Sequence, residues 1–108
     1  MVCQEDNVPR SLQRGDIRAL EYQAHYYPYR LHRKDYNGWR PIHEAVYRGD
    51  LESTQFLMEH GATIHDRIGK NDEDTGPDVL TLARQSPVVK EGHPLLEYLL
   101  SLEEGSEL

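Results

Sequence analysis

The stretch DYNGWRPIHEAVYRGDLESTQFLMEHGA, residues 35–62, decides the fold. Asn37-Gly38 is a turn signal, because glycine takes a positive φ without steric cost. Pro41 follows in what reads as the first turn of a helix, where a missing N–H leaves no bond unmade. Ile42, Ala45 and Val46 then recur at the i, i+3, i+4 spacing of one buried face. Gly49 suits the left-handed position that ends a helix. Asp50 reads as the cap of a second helix, with Glu52 favourable at the positive end of its dipole. Leu51, Thr54, Phe56, Leu57 and Met58 supply that helix's core-facing side, and Gly61 closes it. The unit is a helix-turn-helix with a glycine at each stop.

Looser copies flank it. Upstream, SLQRGDI at 11–17 echoes AVYRGDL at 45–51, so Ile17, Ala19, Leu20 and Tyr22 are expected on the second helix of a first unit. Downstream, residues 75–83 echo 37–45, with Asp78 placed to cap a helix. Residues 93–100 read as the last helix, with Glu103, Glu104 and Glu107 beyond it as a polar end. Two connections are expanded: the acidic one at 66–76, and the one at 85–93, where Pro87 should end the helix before it. Insertions in repeat arrays map to loops and often to the binding side.

The central stretch closely resembles an ankyrin repeat. The family's T-P-L-H-x-A signature, with a period of about 33 residues, stands here as Arg40-Pro41-Ile42-His43-Glu44-Ala45, followed by Gly49-Asp50-Leu51 and the run 56–62. The resemblance implies an all-α fold: an ankyrin-type repeat solenoid of helix-turn-helix pairs with short hairpin-like loops. One domain would span 1–108, with repeats at about 8–34, 35–66 and 67–104. Such units bury their apolar faces only against their neighbours. The family's signature histidine bonds turn to helix, which makes His43 structural. Arg40 departs from the pattern, because it lacks the side-chain oxygen of Thr. A weakened helix start is expected there, and Arg40→Thr should stabilise the domain.

In that family, partners are bound by the turn tips and the exposed positions of each inner helix. Carried onto this chain, these are Tyr36, Trp39, Arg40, Glu44, Tyr47 and Arg48 in the middle repeat. The first repeat contributes Arg10, Gln13 and Arg14, and the third Leu82, Gln85 and Ser86. The implied function is recognition of another protein by a monomer through its concave face, without catalysis.

Composition agrees with a thin core completed by neighbouring units. The apolar share is 37% and charged residues are 29%, against roughly 45–50% and 25% in an average domain. The net charge of -7 works against nucleic acid and anionic membrane as partners. Cys3 is the single cysteine, so no internal disulfide forms. The start has neither the basic segment nor the apolar run of a secretory leader, and no stretch approaches the ~20 apolar residues of a membrane span. An intracellular protein is expected, cytoplasmic first, with the nucleus also open.

Nothing points to chemistry. His60 and His65 are separated by Gly61 and share no helical face, and no C-x-x-C or H-E-x-x-H occurs, so no metal is expected. Asp72, Glu73 and Asp74 lack the ligand spacing of a calcium loop and read as a solvated charge run. No nucleophile elbow or phosphate-cradling glycine loop is present, so neither catalysis nor a cofactor is expected. The segment 22–40 gathers Tyr22, Tyr26, Tyr27, Tyr29, Tyr36 and Trp39 with Arg30, Arg33, Lys34 and Arg40. It supports three readings: a protein contact, filling of a shallow core, or stacking on single-stranded nucleic acid. The chain's acidity counts against the last. Two alternatives therefore stand beside a protein-binding module: an accessory recognition domain of a larger enzyme, and a nucleic-acid-binding module using 22–40.

Overall fold

The computed structural model describes residues 12, 15–35, 37–69 and 75–105. In chain order these form α1 (Ile17–Tyr26), a 3-10 segment (Pro28–His32), α2 (Pro41–Arg48), α3 (Leu51–Glu59), α4 (Val79–Gln85) and α5 (Pro94–Gly105). The only β pairing among the described residues is an isolated antiparallel bridge between Arg67 and Asp78.

Local chemistry sets the helix ends. Asp16 caps α1 by accepting from Ala19 N–H at 3.1 Å, Asp50 caps α3 through Ser53 N–H at 3.1 Å, and Asp78 caps α4 through Thr81 N–H at 2.8 Å. At the last helix His93 takes over this role, its Nδ1 accepting from Leu95 N–H at 3.1 Å. Gly49 ends α2 at φ 73°, and its N–H bonds back to the Val46 carbonyl. A side chain there would also collide, since an added Cβ would lie 2.9 Å from Val88 Cγ1.

The helices stack as pairs. α2 packs on both its own partner α3 and the equivalent helix α4 of the next pair, and α3 meets α5. The 3-10 segment lies between α1 and α2. Ile42, Ala45 and Val46 of α2 are buried, as are Leu57, Val79, Ala83, Leu95 and Leu99 from the neighbouring helices. This is the layered helix-pair architecture expected of the repeat pattern. The hairpin-like loops also join one another, Gly69 N–H donating to the Gly38 carbonyl at 3.1 Å.

Three expectations are corrected. Tyr22 does not fill the core; it is 39% exposed, because two positions after Leu20 is about 200° around the helix. Gln23 is buried instead, its amide oxygen accepting from Arg30 Nη1 at 3.0 Å. Tyr26, Tyr27 and Tyr29 are exposed as well, so core filling does not account for the tyrosine run. Leu82 and Ser86, expected on the binding face, are both buried. Finally, α5 runs on through Gly105, so Glu103 lies within the last helix rather than after it.

Candidate functional site

The site is built on the outer side of α2. Its hairpin tip is organised by Asp35, whose Oδ1 accepts from Asn37 N–H at 2.8 Å and Trp39 N–H at 3.0 Å. Asp35 N–H closes the turn on the Trp39 carbonyl at 2.7 Å, and Gly38 sits at φ 82° between them. That turn delivers Trp39 to the head of α2. From there Trp39, His43 and Tyr47 follow at intervals of four residues on one side of the helix. The Trp39 and Tyr47 rings meet edge to face at 5.5 Å, and Trp39 meets His43 in the same manner at 6.3 Å.

His43 anchors this column. It is fully buried, Nδ1 accepts from Arg40 N–H at 3.0 Å, and Nε2–H donates to the Asp66 carbonyl at 2.9 Å. Both bonds together require the neutral imidazole with its proton on Nε2. Burial is the main cause that holds its pKa below 6.5, opposed by Asp66. His43 thus joins the start of α2 to the loop after α3, the turn-to-helix role expected of it.

Arg40 has no side-chain cap bond to α2. Its Nη1 donates instead to the His32 carbonyl at 2.7 Å, tying the helix start to the 3-10 segment. The expected weakness at this position is therefore set against a longer-range bond, which any gain from Arg40→Thr would have to exceed.

Opposite Tyr47 stands a wall that the sequence did not identify. Ser86 Oγ donates to the Tyr47 carbonyl at 2.7 Å and accepts from Val88 N–H at 3.2 Å and Val89 N–H at 3.4 Å. One hydroxyl so fastens the expanded connection to the end of α2. Val89 turns inward and is buried, while Val88 turns outward and is 51% exposed. Trp39, Glu44, Tyr47, Arg48, Pro87 and Val88 enclose an open groove of about 420 Å³. Tyr47 is 39% exposed within it, and Glu44 Oε1 accepts from Arg48 Nε at 2.9 Å along its floor. A narrower notch, lined in part by Arg33, Asp35, Arg40 and Pro41, adjoins the groove through Trp39 and Glu44.

Of the residues expected at the site, Trp39, Glu44, Tyr47 and Arg48 are brought together, and Arg40 lines the adjoining notch. Gln85 is exposed on α4 and does not line the groove. Tyr36, Arg10, Gln13 and Arg14 lie outside the described residues. Pro87 and Val88 were missed as individual residues, although the length of their connection had marked it as an insertion on the binding side. Among the described residues no group of three His, Cys, Asp or Glu could hold a metal ion. None of the helices there is long and apolar enough to cross a membrane.

Residues 13–58 match the family model for ankyrin repeats, a family whose repeats occur in many copies. This span holds α1, the 3-10 segment, α2 and nearly all of α3. No curated protein matches the chain.

Proposed function

Residues 13–58 carry ankyrin repeats, and from that premise we propose that the chain recognises a partner protein through the groove in front of α2. Ankyrin repeats are generally protein–protein interaction modules. One observation carries the finer reading: an exposed Tyr47, backed by Trp39, faces Val88 and Pro87 across an open groove beside Arg48. Large aromatics next to arginine are the residue types that anchor interfaces, where truncation costs about 2 kcal/mol or more. The protein does this work by binding alone and without catalysis.

The test is a pull-down and affinity measurement with the intact chain, the Tyr47→Ala variant and the Arg48→Ala variant. Both variants should melt close to the parent. Tyr47 packs on one ring only at the surface, and an exposed ion pair such as Glu44–Arg48 contributes about 0–1 kcal/mol. Binding should weaken at least tenfold, about 1.4 kcal/mol. Partner binding that survives both substitutions would remove the groove from the function.

A further inference from the structure

The charge of this chain is unevenly placed. Residues 25–48 carry five Lys or Arg (Arg30, Arg33, Lys34, Arg40, Arg48) against Asp35 and Glu44, a local balance of +3 in a chain whose total is -7. Three of these cations, Arg33, Arg40 and Arg48, line the groove and the notch that continues it. The two carboxylates on the same surface are already engaged: Asp35 accepts two backbone N–H groups of the hairpin tip, and Glu44 accepts from Arg48 Nε. Arg33 is exposed, and the Arg48 side chain is 44% exposed on the groove floor. Between the cations stand the apolar surfaces of Trp39, Tyr47 and Val88.

We propose that the occupant of this groove is an acidic peptide segment of the partner protein, with an apolar side chain seated against Trp39, Tyr47 and Val88 and flanking carboxylates facing Arg33 and Arg48. The inference rests on the groove being the recognition site and adds the chemistry of what it takes. Carboxylates suit guanidinium groups through paired N–H donors, and opposite charge steers the encounter. Elsewhere among the described residues Asp and Glu outnumber Lys and Arg, which disfavours the same segment there. A nucleic-acid strand is the poorer fit. Its phosphates would run past the acidic surface on leaving so short a basic stretch, whereas a peptide presents only a few charges.

Display of random twelve-residue peptides against the intact chain tests this without a known partner. Selected peptides should be rich in Asp and Glu around one Leu, Ile, Phe or Met. Their affinity should fall at least tenfold in Tyr47→Ala and severalfold in each of Arg33→Gln and Arg48→Gln, and it should weaken with added salt. Trp39 is the single tryptophan, so its fluorescence reports occupancy of the groove directly. Apolar peptides that depend on Tyr47 but show no acidic bias would overturn the charge assignment and leave the groove standing. Peptides that bind Tyr47→Ala as well as the parent, or no enrichment at all, would overturn both. A single-stranded oligonucleotide that shifts Trp39 emission and displaces the selected peptides at physiological salt would also overturn the proposal.

Discussion

The starts of α2 and α4 occupy equivalent places in successive helix pairs and are held by different means. At α4 the cap is local. Asp78 takes up Thr81 N–H three residues on, within the first turn. At α2 position 40 holds an arginine, which has no acceptor to offer. His43 N–H bonds the Arg40 carbonyl and His43 Nδ1 accepts from Arg40 N–H, and two further bonds run outward: Arg40 back to the His32 carbonyl, His43 forward to the Asp66 carbonyl. The capping bond of α4 stays within its first turn, although Asp78 also pairs with Arg67 in the loop before it, while the α2 start is tied to the elements on both sides. Part of what holds the α2 start comes from the 3-10 segment and the loop after α3. It therefore couples the 3-10 segment to the loop after α3, and it carries Trp39 toward Tyr47 at the same time.

The largest difference should appear on removing the two anchors. His43→Ala takes away a fully buried ring and leaves Arg40 N–H and the Asp66 carbonyl without their partner. Buried groups stripped of a bond cost about 1–3 kcal/mol each, so a loss of roughly 2–5 kcal/mol is expected. Asp78→Ala removes one cap and should cost about 0.5–2 kcal/mol. Urea unfolding of both variants checks the ranking. Equal losses would mean that the α2 start is no more connected than the α4 start. Hydrogen exchange adds a second readout, since His43→Ala should also loosen residues 66–69, whereas Asp78→Ala should leave the 3-10 segment untouched.

Acid should separate the two starts without any mutation. The pKa of His43 lies below 6.5 in the folded chain, chiefly through burial, so the unfolded chain binds the proton more readily. Stability is then lost as pH falls below 6.5 and through the folded value, and the loss levels off beneath it. Asp78 behaves differently. Burial raises its pKa, but the hydrogen bonds from the Thr81 backbone and side chain, helped by Arg67 and His65, outweigh that and hold it below 3.8. Its contribution is complete above 3.8 and disappears only as pH drops through the lowered value. Melting curves between pH 7 and 3 should therefore show an earlier loss that His43→Gln diminishes, and a later one that Asp78→Asn diminishes. A flat profile between pH 7 and 5 would sink the assignment to His43.

Legibility in the sequence follows the same division. What depends on neighbours along the chain could be read: the glycine stops, the caps Asp50 and Asp78, the Ile42/Ala45/Val46 face, the buried Leu57. His43 was legible through the family's signature. What depends on residues far apart in sequence could not be read. Nothing near Arg40 announces the His32 carbonyl, and nothing near Ser86 announces the Tyr47 carbonyl 39 residues away. That second bond fastens the connection carrying Pro87 and Val88 to the end of α2, where both line the groove. The same bond buries Ser86, which repeat position alone would have left on the surface. The tyrosine run failed for a related reason. A shallow first unit could have used Tyr22 as filling, but Gln23 occupies that face because Arg30 satisfies its amide.

The smallest expected effect is also the most direct test of the comparison, because Arg40→Thr converts the α2 start into the α4 kind. Threonine would offer its hydroxyl to His43 N–H, an N-cap gain of about 0.5–2 kcal/mol. The change gives up the bond from the Arg40 guanidinium to the His32 carbonyl, and bonds to charged groups are worth about 1.5–3 kcal/mol. Partial exposure of Arg40 reduces that figure, so the two nearly cancel with the loss slightly ahead. A drop of under ~1 kcal/mol is expected in urea unfolding. Arg40→Gln should lose more, because its longer side chain lacks both the charge and the compact capping geometry. If Arg40→Thr proves clearly more stable than the parent, the bond to His32 contributes little, and the α2 start is as local as that of α4. If it is mildly weaker while Arg40→Gln is weaker still, the helix start is held from outside, as the bond to His32 implies.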